Sequence, residues 1–396
     1  MPLSGVRVVD LTRILAGPFA TMLLGDLGAD VIKVEHPDGG DDTRGWGPPW
    51  VPGAGGASAY FTSVNRNKRS CTLDFKAEAG REVLWRLIEG ADVVISNFRP
   101  GVLDRLGFGW EAVHARSPRA IYVLINGYGA EGPAAQKPAF DVIVQGESGV
   151  MDLTGHPDGP PTRVGISLGD ETAGLLAVQG ILAALLVRER TGLGQRVEIA
   201  LHDGLLSLLT FHAQTWWAGG KAPTRIGNAH PSIVPYQTFP TADGWMNVGV
   251  GNEGQWKRFC EAVGRPGWLG EPRYRTNADR VVHREELVPV IEEILRGRMT
   301  AEWIEVFTAV DVPCGRIRPV PDALDSPETR ARGMIVEVEG TDGEPLPLLG
   351  PAVRMSASPA RIRRRPPGLG EHTEEVLRSL GYDETEVARL REERIV

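Results

Sequence analysis

Cysteine is scarce in this 396-residue chain, which has only Cys71, Cys260 and Cys314. They lie far apart and form no C-x-x-C pair. That argues against a disulfide framework or a zinc site and fits a reducing, cytoplasmic compartment. The eight histidines show no metal-ligand spacing, so no metal is expected; by position His202, opening a helix, and His230, in a Pro-rich loop, read as structural. Positive charge is also in deficit, with 43 Lys and Arg against 51 Asp and Glu, a net charge of −8. A dedicated nucleic-acid binder usually carries a basic domain, so that class is disfavoured. The start "MPLSGVRVVDL" has no basic segment followed by an apolar stretch, and no signal peptide is expected. The longest apolar run, 173–187, contains Gln179 and Gly180. It is short for a bilayer span and is expected to be a buried helix, with no membrane partner.

Several catalytic signatures are missing too. The first strand is followed by "TRILAGPF", with one glycine where the pyrophosphate-binding G-x-G-x-x-G needs three, which disfavours a NAD dehydrogenase. There is no P-loop, and no serine stands in a G-x-S-x-G elbow.

What is present is an α/β pattern. "VRVVDL" (6–11), "PFATMLLGDLG" (18–28) and "ADVIKVE" (29–35) read as strand, helix and strand, a unit that implies a parallel sheet with helices on its faces. The alternation continues through "SCTLDF", "REVLWRLIEGA", "ADVVISNF", "WEAVHARSP" and "AIYVLING". It resumes with a long helix after residue 170, the strand "RVEIAL" (196–201) and a helix over "DGLLSLLTFHAQTW". Composition then shifts to Pro, Gly and Asn. "YQTFPTADGWMNVGVG" (236–251) reads as two strands joined at "ADG", with helical patterns after it. The expected division is a large domain over 1–220, a smaller α+β domain over 225–320, and a C-terminal return to the large domain over 321–396.

Two features suggest chemistry. The basic stretches "SVNRNKRS" (63–70) and "SNFRPGVLDRLG" (96–107) read either as charged surface or as seats for an anionic ligand. In "GISLGDETAGLLAVQG", Asp170 meets the start of the long helix. A helix N-cap and a nucleophilic carboxylate both fit that position, and either would be expected to hold a low pKa beside the helix dipole and amide donors.

Taken in order, "LSGVRVVDLTRILAGPFATMLLGDLGADVIKVE", "SVNRNKRSCTLDFK", "VVISNFRPGVLDRLGFG", "GISLGDETAGLLAVQGILAAL", "TGLGQRVEIALHDGLL" and "LGEHTEEVL" resemble the class III CoA-transferases. The resemblance spans nearly the whole chain. It implies a Rossmann-like large domain, a smaller α+β domain and an interlocked homodimer. It also implies coenzyme A as an acyl-CoA substrate, with no tightly bound cofactor. Asp170 takes the place of the family's nucleophile. CoA contacts map onto Ile14, Leu15, Ala16, Leu73, Lys76, Asn97, Phe98, Arg105, Leu106 and Phe140. Substrate contacts map onto Asp141, His230, Gly249, Gly251 and Gln255.

The departures are informative. Leu15 stands where formyl-CoA transferase has Gln, which argues against formate and oxalate. Pro138 replaces a Lys (Lys137 precedes it), and His36 replaces an Arg. Phe140 replaces the proton-carrying His of the related 2-methylacyl-CoA racemases, leaving that reaction as the alternative alongside CoA-ester binding without turnover. "GDDTRGWGPPW", "GNAHPSIVPYQTF" and "VGVGNEGQW" look most like the dicarboxylate branch, with succinyl-CoA as donor. Arg44, Arg225 and His230 are candidates for a second carboxylate.

Overall fold

The computed structural model describes all residues, Met1–Val396. The chain forms two compact units: Met1–Val150, Val164–Gln214 and Pro327–Val396 make the first, and Met151–Arg163 with Thr215–Ser326 the second.

A six-stranded sheet organises the first unit: β1 (Arg7–Asp10), β2 (Asp30–Glu35), β3 (Lys68–Thr72), β4 (Val93–Ser96), β5 (Ile121–Asn126) and β6 (Arg196–Ala200). Their spatial order is β3-β2-β1-β4-β5-β6, and every pairing is parallel. The inner strands β4 (VVIS) and β5 (IYVLIN) are near-continuous apolar runs because helices cover both faces, whereas the edge strand β3 reads KRSCT. Alternate residues serve opposite sides. Val8, Val31, Val93, Ile121 and Val123 pack into one core with helices α1 (Ala16–Asp26) and α2 (Leu168–Thr191). Val9, Ile32, Val34, Val94 and Tyr122 pack into the other, with Val376 and Leu377 of the C-terminal segment. That segment is tied back by His372 N–H on the Ser70 carbonyl and by the Thr72 and Thr373 hydroxyls, 2.9 Å apart.

Helix α2 spans 24 residues, longer than the apolar run had suggested. By length and composition alone it is apolar enough to cross a membrane. Here Ala173, Ala177, Ile181 and Ala184 are buried in the sheet's core instead, and near its C-terminus Arg188 pairs with Asp92 at 2.8 Å. Small residues let α2 approach α1 closely: a Cβ on Gly174 would lie 2.9 Å from the Ala16 carbonyl oxygen. The helix expected over "DGLLSLLTFHAQTW" is instead two, Leu201–Ser207 and Thr210–Gly219. The break falls where Thr210 adopts a left-handed φ of 35°, which an α-helix cannot continue through.

In the second unit β7 (Tyr236–Pro240) and β8 (Trp245–Gly249) form the antiparallel hairpin, and β9 (Cys314–Arg316) pairs with β8 from the other side. Helices Glu253–Ala262, Arg284–Leu295 and Thr300–Ala309 close over it, burying Phe239, Met246, Trp256, Phe259, Ile291 and Phe307. Residues 151–163, expected in the large domain, belong to this unit. Gly227 N–H donates to the Gly155 carbonyl and Arg225 pairs with Asp152 at 2.7 Å. These are long-range contacts with no local pattern to announce them.

Candidate active site

The sheet reverses its winding between β1 and β4, and in open α/β sheets ligands bind past the carboxyl ends of the strands at such a switch point. A cleft of about 650 Å³ lies there. Its walls come from just beyond β1 (Arg13, Ile14, Leu15, Ala16), β4 (Asn97, Phe98, Arg99, Pro100), β5 (Asn126, Gly127) and β6 (Leu201), and from Phe140 and Asp170. The cleft holds five cations, Arg13, Lys76, Arg99, Arg105 and Lys137. Arg13 bonds Asp42 and Lys137 bonds Glu147, both at the surface; Lys76, Arg99 and Arg105 stand without an ion-pair partner. In an acidic protein, such a concentration of cations around apolar walls is a seat for an anion with an organic body.

Asp170 is not a helix cap. Ser167 holds the N-cap position, and Asp170 is the third residue of α2, where its side chain makes no capping bond. Nor is its pKa low. Burial pushes the Asp170 carboxyl up to about 7, with the Asp141 charge and then Glu171 adding to the shift. The helix dipole is outweighed because the side chain is partly buried beside two other carboxylates. Asp141 is held in place: one oxygen accepts from Gly169 N–H at 2.8 Å and the other from Gln145 at 2.7 Å. Tyr60, which no spacing had marked, bonds Ser167, and burial and the Asp170 charge raise its hydroxyl pKa. The site therefore offers a carboxylate with no anchoring hydrogen bond, whose proton affinity and nucleophilicity are raised.

Most of the expected CoA residues meet in this cleft: Ile14, Leu15, Ala16, Lys76, Asn97, Phe98, Arg105 and Phe140 line it with Asp170. Phe140 is 60% exposed. Leu106 lines a smaller recess of about 290 Å³ that shares Lys76, Phe98 and Val102. Leu73 does neither; its side chain is fully buried in the core beneath the sheet, out of a ligand's reach. The anion-seat reading of residues 63–70 is also corrected. Arg66 pairs with Asp26, Lys68 with Asp10, and Arg69 with Asp30 and Glu375. The second basic stretch is the one that reaches the cleft.

Arg44 is likewise engaged. Two of its nitrogens donate to Glu35 at 2.7 and 2.8 Å, and its guanidinium sits 3.8 Å over Phe61. His230, Gly249, Gly251 and Gln255 lie in the second unit. Gly249 lines a cavity of about 840 Å³ there, with Tyr236, Trp245 and Cys314. Gly251 N–H donates to Gln255 at 2.8 Å, within a loop that Asn252 caps onto the following helix. The His230 ring meets Tyr236 edge-on at 5.4 Å.

Known proteins resemble this chain over most of its length. The chain is 42% identical to a succinate–glutarate CoA-transferase from Agrobacterium fabrum, over 96% of each protein. It is 42% identical to an acetyl-CoA:oxalate CoA-transferase from Acetobacter aceti, covering 88% of this chain and 90% of that one. A crystal structure of a CAIB/BAIF family protein from Brucella suis superposes with a TM-score of 0.86 at 41% identity, covering 96% of this chain and 99% of that one. The model of CoA-transferase family III matches residues 3–373, and the protein belongs to that family.

Proposed function

We propose that the protein moves CoA from succinyl-CoA to a dicarboxylic acid, with Asp170 as covalent nucleophile. The observation that carries this reading is the position of Asp170, an unanchored carboxylate in a cation-rich cleft at the sheet's switch point. The cations suit the phosphates of CoA, and the apolar turn of Ile14, Leu15 and Ala16 suits its pantetheine arm.

An Asp170 oxygen attacks the thioester carbonyl, the C–S bond breaks, and CoA leaves as thiolate from a mixed anhydride. The thiolate then attacks the aspartyl carbonyl, which frees the donor acid and leaves an aspartyl-CoA thioester. The acceptor carboxylate attacks that thioester and expels the thiolate, forming a second anhydride. Attack by the thiolate on the acceptor's carbonyl gives the new CoA ester and restores Asp170. Each intermediate conserves the activation of the acyl group, so no other energy source enters.

Succinyl-CoA and a glutarate-like acceptor are favoured by the similarity to the succinate–glutarate enzyme. The equal identity to an oxalate enzyme means that overall likeness does not choose the acid, and oxalate belongs in the test panel despite Leu15. Arg44 is engaged by Glu35 and Arg225 by Asp152, so neither guanidinium stands free for the acceptor's second carboxylate. We read the first unit as Rossmann-like, supported by its strand order. We read the molecule as a soluble, cytoplasmic homodimer. Helix Thr210–Gly219 buries none of its residues, and α2 leaves Leu175, Leu186 and Val187 exposed, apolar surface that a partner would cover.

Incubation with succinyl-CoA, followed by hydroxylamine or borohydride and peptide mapping, tests the mechanism. An adduct on Asp170 is expected; modification elsewhere sinks the assignment.

A further inference from the structure

Ile14 has a φ of 72°, a left-handed conformation in which a β-branched side chain is a genuine outlier. Such a conformation persists only where the surroundings over-determine it, and here they do. Thr12 N–H and hydroxyl both donate to one oxygen of Asp10, at 2.9 and 2.5 Å. Asn97 brackets Arg13, accepting from its N–H at 2.9 Å and donating to its carbonyl at 2.6 Å. Ile14 N–H donates to Asp41 at 3.2 Å, and the other oxygen of Asp41 accepts from Lys33 at 2.8 Å. The same ammonium donates to the Thr12 carbonyl at 2.8 Å.

Lys33, Asp41, Asp10 and Lys68 are all buried, beneath a turn whose upper side faces the cleft. Buried charges are costly to desolvate and weak evidence for stability, so a cluster of four calls for another reason. The turn is also keyed to the nucleophile's helix: Gly174, one turn beyond Asp170, abuts Ala16.

We propose that the buried Lys33–Asp41 pair is a positioning device. It locks Ile14 left-handed so that the Ile14–Leu15–Ala16 turn presents a fixed surface to acyl-CoA beside Asp170. Neither residue lines the main cleft, and both act through the backbone of residues 12 and 14. The inference rests on the CoA-transferase reading.

Asp41→Asn in the full-length enzyme keeps the side chain's size and removes its charge. KM for succinyl-CoA is expected to rise about tenfold with kcat falling no more than threefold, because contacts with the CoA body are made equally in ground and transition states. A purely structural role would lower Tm and leave KM of the folded enzyme alone. Glycine takes a left-handed φ without a clamp; in the Ile14→Gly background the same substitution is therefore expected to raise KM less than threefold. An equal rise in both backgrounds, or no rise in the parent, overturns the proposal. If Asp41→Asn does not fold, the pair replacement Lys33→Met with Asp41→Leu removes both charges at once, a change that buried pairs often tolerate. It is expected to show the same rise, and an unchanged KM overturns the proposal. Absence of transfer by the parent enzyme would sink the functional reading instead. Titration calorimetry with succinyl-CoA then reads the clamp directly: weaker binding by the variants supports it, and equal binding overturns it.

Discussion

Asp170 illustrates how far a residue's neighbours can move it from the behaviour its position suggests. Its place in the first turn of a helix argues for an ionised, low-pKa group, yet burial and the Asp141 and Glu171 charges lift it to about 7. Attack on a thioester needs the carboxylate. The kcat/KM profile for succinyl-CoA should therefore rise with pH and level off above an apparent pKa near 7. An acid limb near 4 would contradict the shift. Asp141→Asn retains an oxygen for the Gly169 amide and removes the like charge, so the limb should move to lower pH in the same assay.

The same shift bears on stability. An unfolded aspartate loses its proton near 3.8 and the folded one near 7. Below this window both forms are protonated; within it the folded chain holds more protons, so stability falls as pH rises. Asp170→Asn should consequently abolish turnover and stabilise the fold at pH 8 by about 2 kcal/mol, allowing for the solvent that reaches the group. Thermal melts at pH 5 and pH 8 check this: the gain should be larger at pH 8, above the window, than at pH 5, inside its lower part. A loss of stability at both would mean that the carboxylate anchors the helix after all.

At the scale of elements, the site depends on the contact between α1 and α2. Gly174→Ala would bring a methyl within 2.8 Å of the Phe19 ring and 2.9 Å of the Ala16 carbonyl oxygen. The backbone contact cannot yield without moving a helix, so a cost of roughly 1–3 kcal/mol is expected from chemical denaturation. Because Asp170 rides on α2 and Ile14–Ala16 lead into α1, kcat should fall as well. An unchanged Tm would show that the helices repack freely. These elements were largely readable from local pattern: apolar runs marked the strands of the parallel sheet, and turn residues marked the hairpin β7–β8. What local pattern left out was the break at Thr210 and the pairing of 151–163 with 225–227, since both depend on neighbours distant in sequence. The cations of 63–70 read as a possible anion seat for the same reason, because the carboxylates that neutralise them lie in other segments.

For the whole molecule, the formal charge of −8 conceals a local reversal of sign at the cleft. With three cations there lacking partners, KM for succinyl-CoA should rise several-fold between 50 mM and 500 mM salt, as screening weakens their hold on phosphates. A salt-independent KM would point to an apolar mode of recognition. The exposed aromatic surface makes a second claim at this scale. Trp217 is 74% exposed on a helix with no buried residue. Trp217→Asp should shift the proposed dimer towards monomer in sedimentation velocity, while a monomeric parent protein would remove that reading.

The sequence by itself determined the alternation of strands and helices and the family, and it singled out Asp170 as the candidate carboxylate. Strand and helix patterns are local properties, and a run of motifs in fixed order is visible without coordinates. Only the tertiary structure decided that Asp170 is no cap, that Leu73 and Arg44 are unavailable to a ligand, and which basic stretch faces the cleft. It also decided that Ile14 is held left-handed over a buried ion pair. Each of these outcomes turns on desolvation and on charges brought together across the fold, and such energies exist only once distant segments have met.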